Sequence, residues 1–184
     1  MAYKKLTAQE KREYTPPVPK AQIKPQYEFH AQLAVGKKFE DEVVEALSAA
    51  KIGYRPATMP EQFLGYDFLT ESMLKIECKL DTRDNGVIFI ELTQGKTLGC
   101  IFTTTADVIL FKSGQRVYFF TPIQIRLWFA KHCQNLPLKT VSTGSTGVLM
   151  PLVLSRLNVD IADLPMALLK IELENTTSHP NTIL

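Results

Sequence analysis

Asp67-Phe68-Leu69-Thr70-Glu71-Ser72-Met73-Leu74-Lys75-Ile76-Glu77-Cys78-Lys79-Leu80 is the stretch whose reading decides the fold. Two short apolar runs flank the polar Thr70-Glu71-Ser72, the pattern of a β-hairpin. In the second run Leu74, Ile76, Cys78 and Leu80 fall on one face, and Lys75, Glu77 and Lys79 on the other. Glu77 and Lys79 therefore stand side by side, roughly 6–7 Å apart at the backbone. A hairpin centred on Ser72 puts Asp67 opposite Glu77, with Cβ atoms about 4.5–5.5 Å apart. A two-residue turn would shift the pairing by one and put Ile76 there instead. An Asp facing a Glu destabilises a sheet unless a cation sits between them. Mg²⁺ takes one or two carboxylates, keeps several waters and accepts phosphate oxygens. The same residues also fit a half-exposed hairpin with a solvated charged face.

The chain around this stretch has 184 residues, enough for one domain with a real core. A hydrophobic content of 45% and a charged content of 22% are globular values. The net charge of +2 argues against a broadly basic nucleic-acid coat but leaves room for a local basic groove. Cys78, Cys100 and Cys133 are odd in number and lack C-x-x-C spacing, so neither a disulfide framework nor a zinc site is expected. With no signal-peptide core and no apolar run long enough to cross a bilayer, the expectation is a cytoplasmic protein without membrane contact.

Asp67, nine intervening residues and then Glu77-Cys78-Lys79 resemble the PD-(D/E)XK nuclease signature, in which an Asp and an (Asp/Glu)-x-Lys sit on adjacent strands. Residues 1–29 read as a separate, flexible arm carrying Pro16, Pro17, Pro19 and Pro25, whose Lys4, Lys5, Lys11 and Arg12 are candidates for gripping phosphates. Residues 30–133 read as the core. From about His30 to Lys51 the pattern is helical, with Phe39, Val43, Ala46, Leu47 and Ala50 on one stripe and Gly53 expected to close it. Glu40 and Glu42 lie on opposite shoulders of that stripe, and periodicity does not choose between them.

Gly36-Lys37-Lys38-Phe39-Glu40 resembles the Gly-x-x-x-Glu opening of the first core helix in archaeal Holliday junction resolvases and related phage-type endonucleases. Their helix Glu joins the metal site, so the resemblance selects Glu40, with 26 residues between it and Asp67. It implies a restriction-endonuclease-like α/β core, a mixed sheet flanked by helices, and a metal-dependent deoxyribonuclease. Asp67, Glu77, Glu40 and the main-chain carbonyl of Cys78 would hold Mg²⁺, or Mn²⁺ in its place. Lys79 would position water or stabilise charge on the phosphoryl oxygens. Lys37 and Lys38 join the candidate DNA contacts, and cleavage of both strands would call for a homodimer. A nucleic-acid-binding protein that keeps the fold without cutting, or a protein-interaction module, are the other readings.

Val87 to Leu92 reads as a buried third strand, with Glu91, Gln94 and Lys96 as accessory candidates near its end. A RecB-type nuclease would offer Gln-x-x-x-Tyr here, whereas Gln94 is followed by Leu98. Gly95 to Thr105 reads as a loop or short helix lining one side of the cleft. Asp107–Lys112 and Arg116–Phe120 form a second hairpin around Ser113-Gly114-Gln115, and Thr121-Pro122 opens a helix with Ile123, Leu127, and Ala130 or Lys131 at helical spacing. Trp128 reads as a packing anchor. Residues 134–184 are expected to form an extension packed on the core, with a strand over Val148–Leu154, a short helix from Asp160 interrupted by Pro165, and an edge strand over Lys170–Leu173.

Overall fold

The computed structural model describes residues 26–81, 84–141 and 144–178, with side chains described from residue 34 to residue 177 within these ranges. The chain divides into two units, Met1–Leu33 and Ala34–Leu184. Lys4, Lys5, Lys11 and Arg12 lie outside the described residues. The first helix, α1 (Gln26–Ala49), begins before the expected boundary, so residues 26–29, read as arm, are helical. Phe39, Val43, Ala46 and Leu47 are buried at the expected spacing.

Gly53 does not close α1. Lys51 does, with a left-handed φ of 57°. Its N–H donates to Ser48 (3.1 Å), and the Ile52 N–H donates to Leu47 (3.0 Å), the paired bonds of a Schellman ending. Gly53 serves a different need: a Cβ there would meet the Glu71 carboxyl group at 2.1 Å.

Six strands follow in one mixed sheet, ordered β1 (Tyr54–Pro56), β2 (Phe68–Thr70), β3 (Lys75–Asp81), β6 (Val108–Ser113), β7 (Arg116–Phe120) and β10 (Leu157–Asp160). β3 and β6 are parallel, and every other neighbouring pair in this sheet is antiparallel. α1 and the last helix, α5 (Leu164–Ser178), cover one face, where Phe39, Leu47, Ile76, Leu110, Phe119 and Leu168 meet. The other face carries Leu69, Ile109 and Phe111 against a second sheet and α4 (Pro122–His132). Covered on both sides, β6 has no solvent face. Val108, Ile109, Leu110 and Phe111 are consecutively buried, as a parallel partner in a sandwiched sheet requires.

The second sheet corrects the place given to Val87–Leu92. β4 (Val87–Gln94) exists, but it lies in the order β5 (Thr97–Leu98), β4, β9 (Ser145–Pro151), β8 (Lys139–Thr140), not beside β3. Only alternate residues, Ile88, Ile90 and Leu92, are buried, because one face of β4 packs on the main sheet and the other does not. The third antiparallel strand before the β6–β7 hairpin is instead β1, which pairs Tyr54 with Thr70.

Three further expectations change. Val148–Leu154 is a strand only to Pro151, and Leu152–Leu154 is a 3₁₀ turn. Lys170–Leu173 is helical, because Leu164, Ala167, Leu168 and Ile171 recur at helical spacing and are all buried; Pro165 sits in the first turn, where its missing N–H costs nothing. In α4 the stripe through Ile123 and Leu127 faces outward, and Ile125 is buried with Trp128 and Phe129 packed beside it. The Thr121 cap of that helix is as expected, its hydroxyl accepting the Gln124 N–H (3.2 Å). Among the described residues no helix is long and apolar enough to cross a membrane.

Candidate functional site

The β2–β3 hairpin pairs Phe68 with Ile76 and Leu69 with Lys75. That is the register centred on Ser72, and it rules out the two-residue turn. Thr70 and Met73 form the turn: the Thr70 hydroxyl accepts the Leu74 N–H (3.1 Å), and Met73 takes a φ of 70°. Asp67 stands one residue before β2. Its N–H donates to Ile76 (2.8 Å), its carbonyl accepts the Ala57 N–H (2.8 Å), and its Oδ2 accepts the Cys78 N–H (2.7 Å). Two main-chain bonds thus place Asp67 between the β1 side and β3, and one hydrogen bond from β3 orients its carboxylate.

The N–H and C=O of one strand residue point the same way, so the Cys78 carbonyl also points toward Asp67 and away from β6. Glu77 and Lys79 share the face that looks toward the second sheet, where their β6 partners Ile109 and Phe111 are buried. The solvated-face alternative fails here. Glu77 is 6% exposed, a burial that a carboxylate rarely tolerates unless paired. Its partner is Lys79, whose Nζ bonds Glu77 Oε1 while the lysine side chain keeps 38% of its surface.

Electrostatics follow from this crowding. Burial, and then the charge of Glu77, push the Asp67 carboxyl up to about 6, against the pull of the Cys78 N–H and Lys79; Glu40 adds to the upward push. Burial alone would lower Lys79, but Glu77 and its other neighbours outweigh it and hold the ammonium above its usual range. Burial raises the Cys78 and Cys100 thiols.

The two helix carboxylates are parted by their surroundings. Glu40 bonds Lys37 Nζ (3.0 Å) and its charge is felt at Asp67 and at Cys78. Glu42 is engaged with Lys112 Nζ on β6 (2.7 Å). Lys37 also approaches Asp41 (3.5 Å), and Lys38 is exposed.

Of the accessory candidates, Glu91 comes nearest. Its charge is felt by the Cys100 thiol, which also senses Lys79 and Glu77. Gly99 permits this approach, since a Cβ there would lie 2.2 Å from the Glu91 carbonyl oxygen. Gln94 and Lys96 sit at the exposed β4–β5 turn. The sequence reading missed the loop that carries Asp67. Glu61 accepts hydrogen bonds from Arg55 (2.6 Å, twice) and from the Thr58 N–H and hydroxyl (2.8 Å each). Thr58-Met59-Pro60-Glu61 is a capping-box spacing, a signal present in the sequence.

Among the described residues no three His, Cys, Asp or Glu side chains group as a metal cage. Two carboxylates and a carbonyl aimed at one of them are nevertheless a donor set suited to a hard cation that keeps its waters. A cation would also offset the burial of the Asp67 charge and its repulsion by Glu77, which together raise Asp67.

Burial of Asp67, added to by the charge of Glu77, has a measurable consequence without any metal. Below about pH 4 Asp67 is protonated in both the folded and unfolded chain, so nothing is lost. As pH rises through about 6 the folded chain must carry the buried charge, and its stability falls by about 2–3 kcal/mol. Asp67→Asn removes this loss. In EDTA the melting temperature of Asp67→Asn should gain on that of the wild type between pH 4 and 7; parallel profiles would show that Asp67 titrates normally.

No protein-family model matches the chain, and no curated protein matches its sequence.

Proposed function

We propose that this chain is a metal-dependent deoxyribonuclease built on a restriction-endonuclease-like core. The observation that carries the reading is that Asp67, just before β2, is held by the Cys78 N–H of β3 close enough to feel the charge of Glu77, with Lys79 bonded to Glu77 and the Cys78 carbonyl turned toward Asp67. The element order supports it: helix α1, antiparallel β1–β2–β3, then β6 parallel to β3, with the β6–β7 hairpin and α4 following.

Asp67 and Glu77 would hold Mg²⁺ or Mn²⁺ with the Cys78 carbonyl, and Glu40 would complete the site. The ion would supply an activated water and neutralise charge on the scissile phosphate. Asp67 is oriented for this by the Cys78 N–H, which leaves its second oxygen free of that bond. Lys79, kept protonated by Glu77, presents an ammonium group with part of its surface in solvent, suited to a phosphoryl oxygen or the attacking water. Glu91 would tune the far side of the site through its charge near Cys100. Lys37 and Lys38 offer exposed cations on α1 for the DNA backbone.

One observation favours a second reading, a nucleic-acid-binding protein that keeps the fold without cutting. Lys79 already neutralises Glu77, which weakens the demand for a metal. Supercoiled plasmid, linear duplex and a four-way junction, incubated with and without Mg²⁺, separate the two. Cleavage that requires Mg²⁺ is the expected result. Calorimetric Mg²⁺ binding and DNA binding with all three substrates intact would favour the second reading.

A further inference from the structure

The loop that leads into Asp67 uses its polar groups internally and turns its apolar side chains outward. Its base is closed by the Ala57 N–H to Asp67 carbonyl bond (2.8 Å). Inside it, Glu61 is held by Arg55 and Thr58, and the buried Tyr66 hydroxyl also bonds Glu61. Its far side is fastened to the segment after the short helix α3 (Cys100–Thr103): the Leu64 carbonyl accepts the Thr105 N–H (2.8 Å) and hydroxyl (3.1 Å), and the Gly65 carbonyl accepts the Thr104 hydroxyl. Gly65 must be glycine for that seat. Its φ is +75°, and a Cβ would come within 2.9 Å of the Thr104 backbone.

On this stiff support Phe63 is 83% exposed, Met59 75% and Leu64 48%. Local folding does not explain such exposure, since the neighbouring Tyr66 is buried in the same turn. Three residues of chain separate Phe63 from Asp67, four steps that span at most about 14 Å. Whatever rests on this platform is therefore held within a nucleotide or two of the proposed scissile phosphate. An exposed aromatic ring suits the face of a nucleobase, and such stacking tolerates any sequence. In uninterrupted duplex those faces are covered by neighbouring base pairs. Unpaired or frayed bases expose them.

We propose that Phe63, flanked by Met59 and Leu64, is a stacking platform for unpaired bases beside the cleavage site, which makes DNA with a single-stranded segment the substrate class. The inference rests on the nuclease reading of Asp67, Glu77 and Lys79. It is specific about what that site receives.

The test uses the full chain and DNA carrying a fluorescent adenine analogue, either in a single-stranded tail or inside a fully paired duplex, in EDTA and again in Ca²⁺. The wild type should change the emission of the tail analogue and bind the tailed DNA more tightly than the duplex. Phe63→Ala should lose the emission change and bind the tailed DNA roughly ten- to a hundredfold more weakly, with duplex binding and melting temperature unchanged. Phe63→Trp should restore both signals. Wild-type affinity for tailed DNA in Phe63→Ala overturns the platform. So does a loss of self-association in that variant, by sedimentation, with DNA binding intact, which would make the patch a contact between copies of this chain. A wild type that binds neither DNA overturns the platform and the nuclease reading together. Stacking without Mg²⁺-dependent cleavage supports the platform and overturns the nuclease reading alone.

Discussion

Asp67→Asn and Glu77→Gln should each depress Mg²⁺-dependent cleavage on the order of a thousandfold or more, and they should move stability in opposite directions. The first effect follows from removing an anionic ligand where the ion's contribution to the barrier is several kcal/mol. The second follows from what each carboxylate touches. An Asn at 67 can still accept the Cys78 N–H (2.7 Å in the wild type) while shedding a buried charge, so the metal-free protein gains stability at neutral pH. Gln at 77 relieves Asp67 too, but it removes the ion-pair partner of the Lys79 ammonium and leaves it the weaker influence of Asp67. That ammonium keeps solvent access, so the cost is about 1–2 kcal/mol, below that of a fully buried broken pair. Alanine at either position would blur this contrast by removing the hydrogen-bonding group as well. Plasmid cleavage in Mg²⁺ and melting in EDTA, on the same preparations, decide it. Cleavage at the wild-type rate in either variant would mean that the pair is not a metal site. Lys79→Met adds a check, because it should lose turnover yet bind Mg²⁺ at least as tightly once the competing cation is gone.

That Asp67 meets β3 near Glu77 was legible as one of two registers, because a hairpin leaves few choices; the sequence left open which, and the structure pairs Phe68 with Ile76, the register centred on Ser72. What covers that face was not legible. Lys75, Glu77 and Lys79 alternate with apolar residues as they would on a solvated face, and nothing local announces that β4 and β9 bring a second sheet over it. The run Val87 to Leu92 shows the same limit, since a central strand and a strand of a facing sheet have similar composition. Ile171-Glu172-Leu173 alternates like a strand, yet Leu164, Leu168 and Ile171 are the residues that pack, and their helical spacing prevails. α4 carries apolar residues on more than one side, so its buried side had to be chosen by tertiary contact with Ile125. At the end of α1 a lysine adopts the conformation expected of glycine, because its N–H and that of Ile52 cap the helix well enough to offset the strain.

Glu40→Gln should lower Mg²⁺-dependent cleavage by one to two orders of magnitude with little change in melting temperature, whereas Glu42→Gln should do the reverse. Both residues sit on shoulders of the α1 stripe, and helix propensity treats them alike. Their partners do not. Among the described residues Glu40 is tied only to the exposed Lys37 in its own helix, a contact worth a few tenths of a kcal/mol, while its charge reaches Asp67 and Cys78. Glu42 is the counter-charge of Lys112, whose side chain is 14% exposed, so neutralising it leaves a largely buried ammonium with no anion among the described residues bonded to it and the Phe39 ring beside it. A readout independent of turnover follows from sign: removing the Glu40 charge takes away one of the groups that raise Asp67, so Asp67 should titrate at lower pH in Glu40→Gln and be unmoved in Glu42→Gln. Nicking assays, melting curves and the pH dependence of stability in EDTA measure all three. Equal cleavage by the two variants would remove Glu40 from the site and leave Asp67, Glu77 and Lys79 to hold the ion without a helix carboxylate.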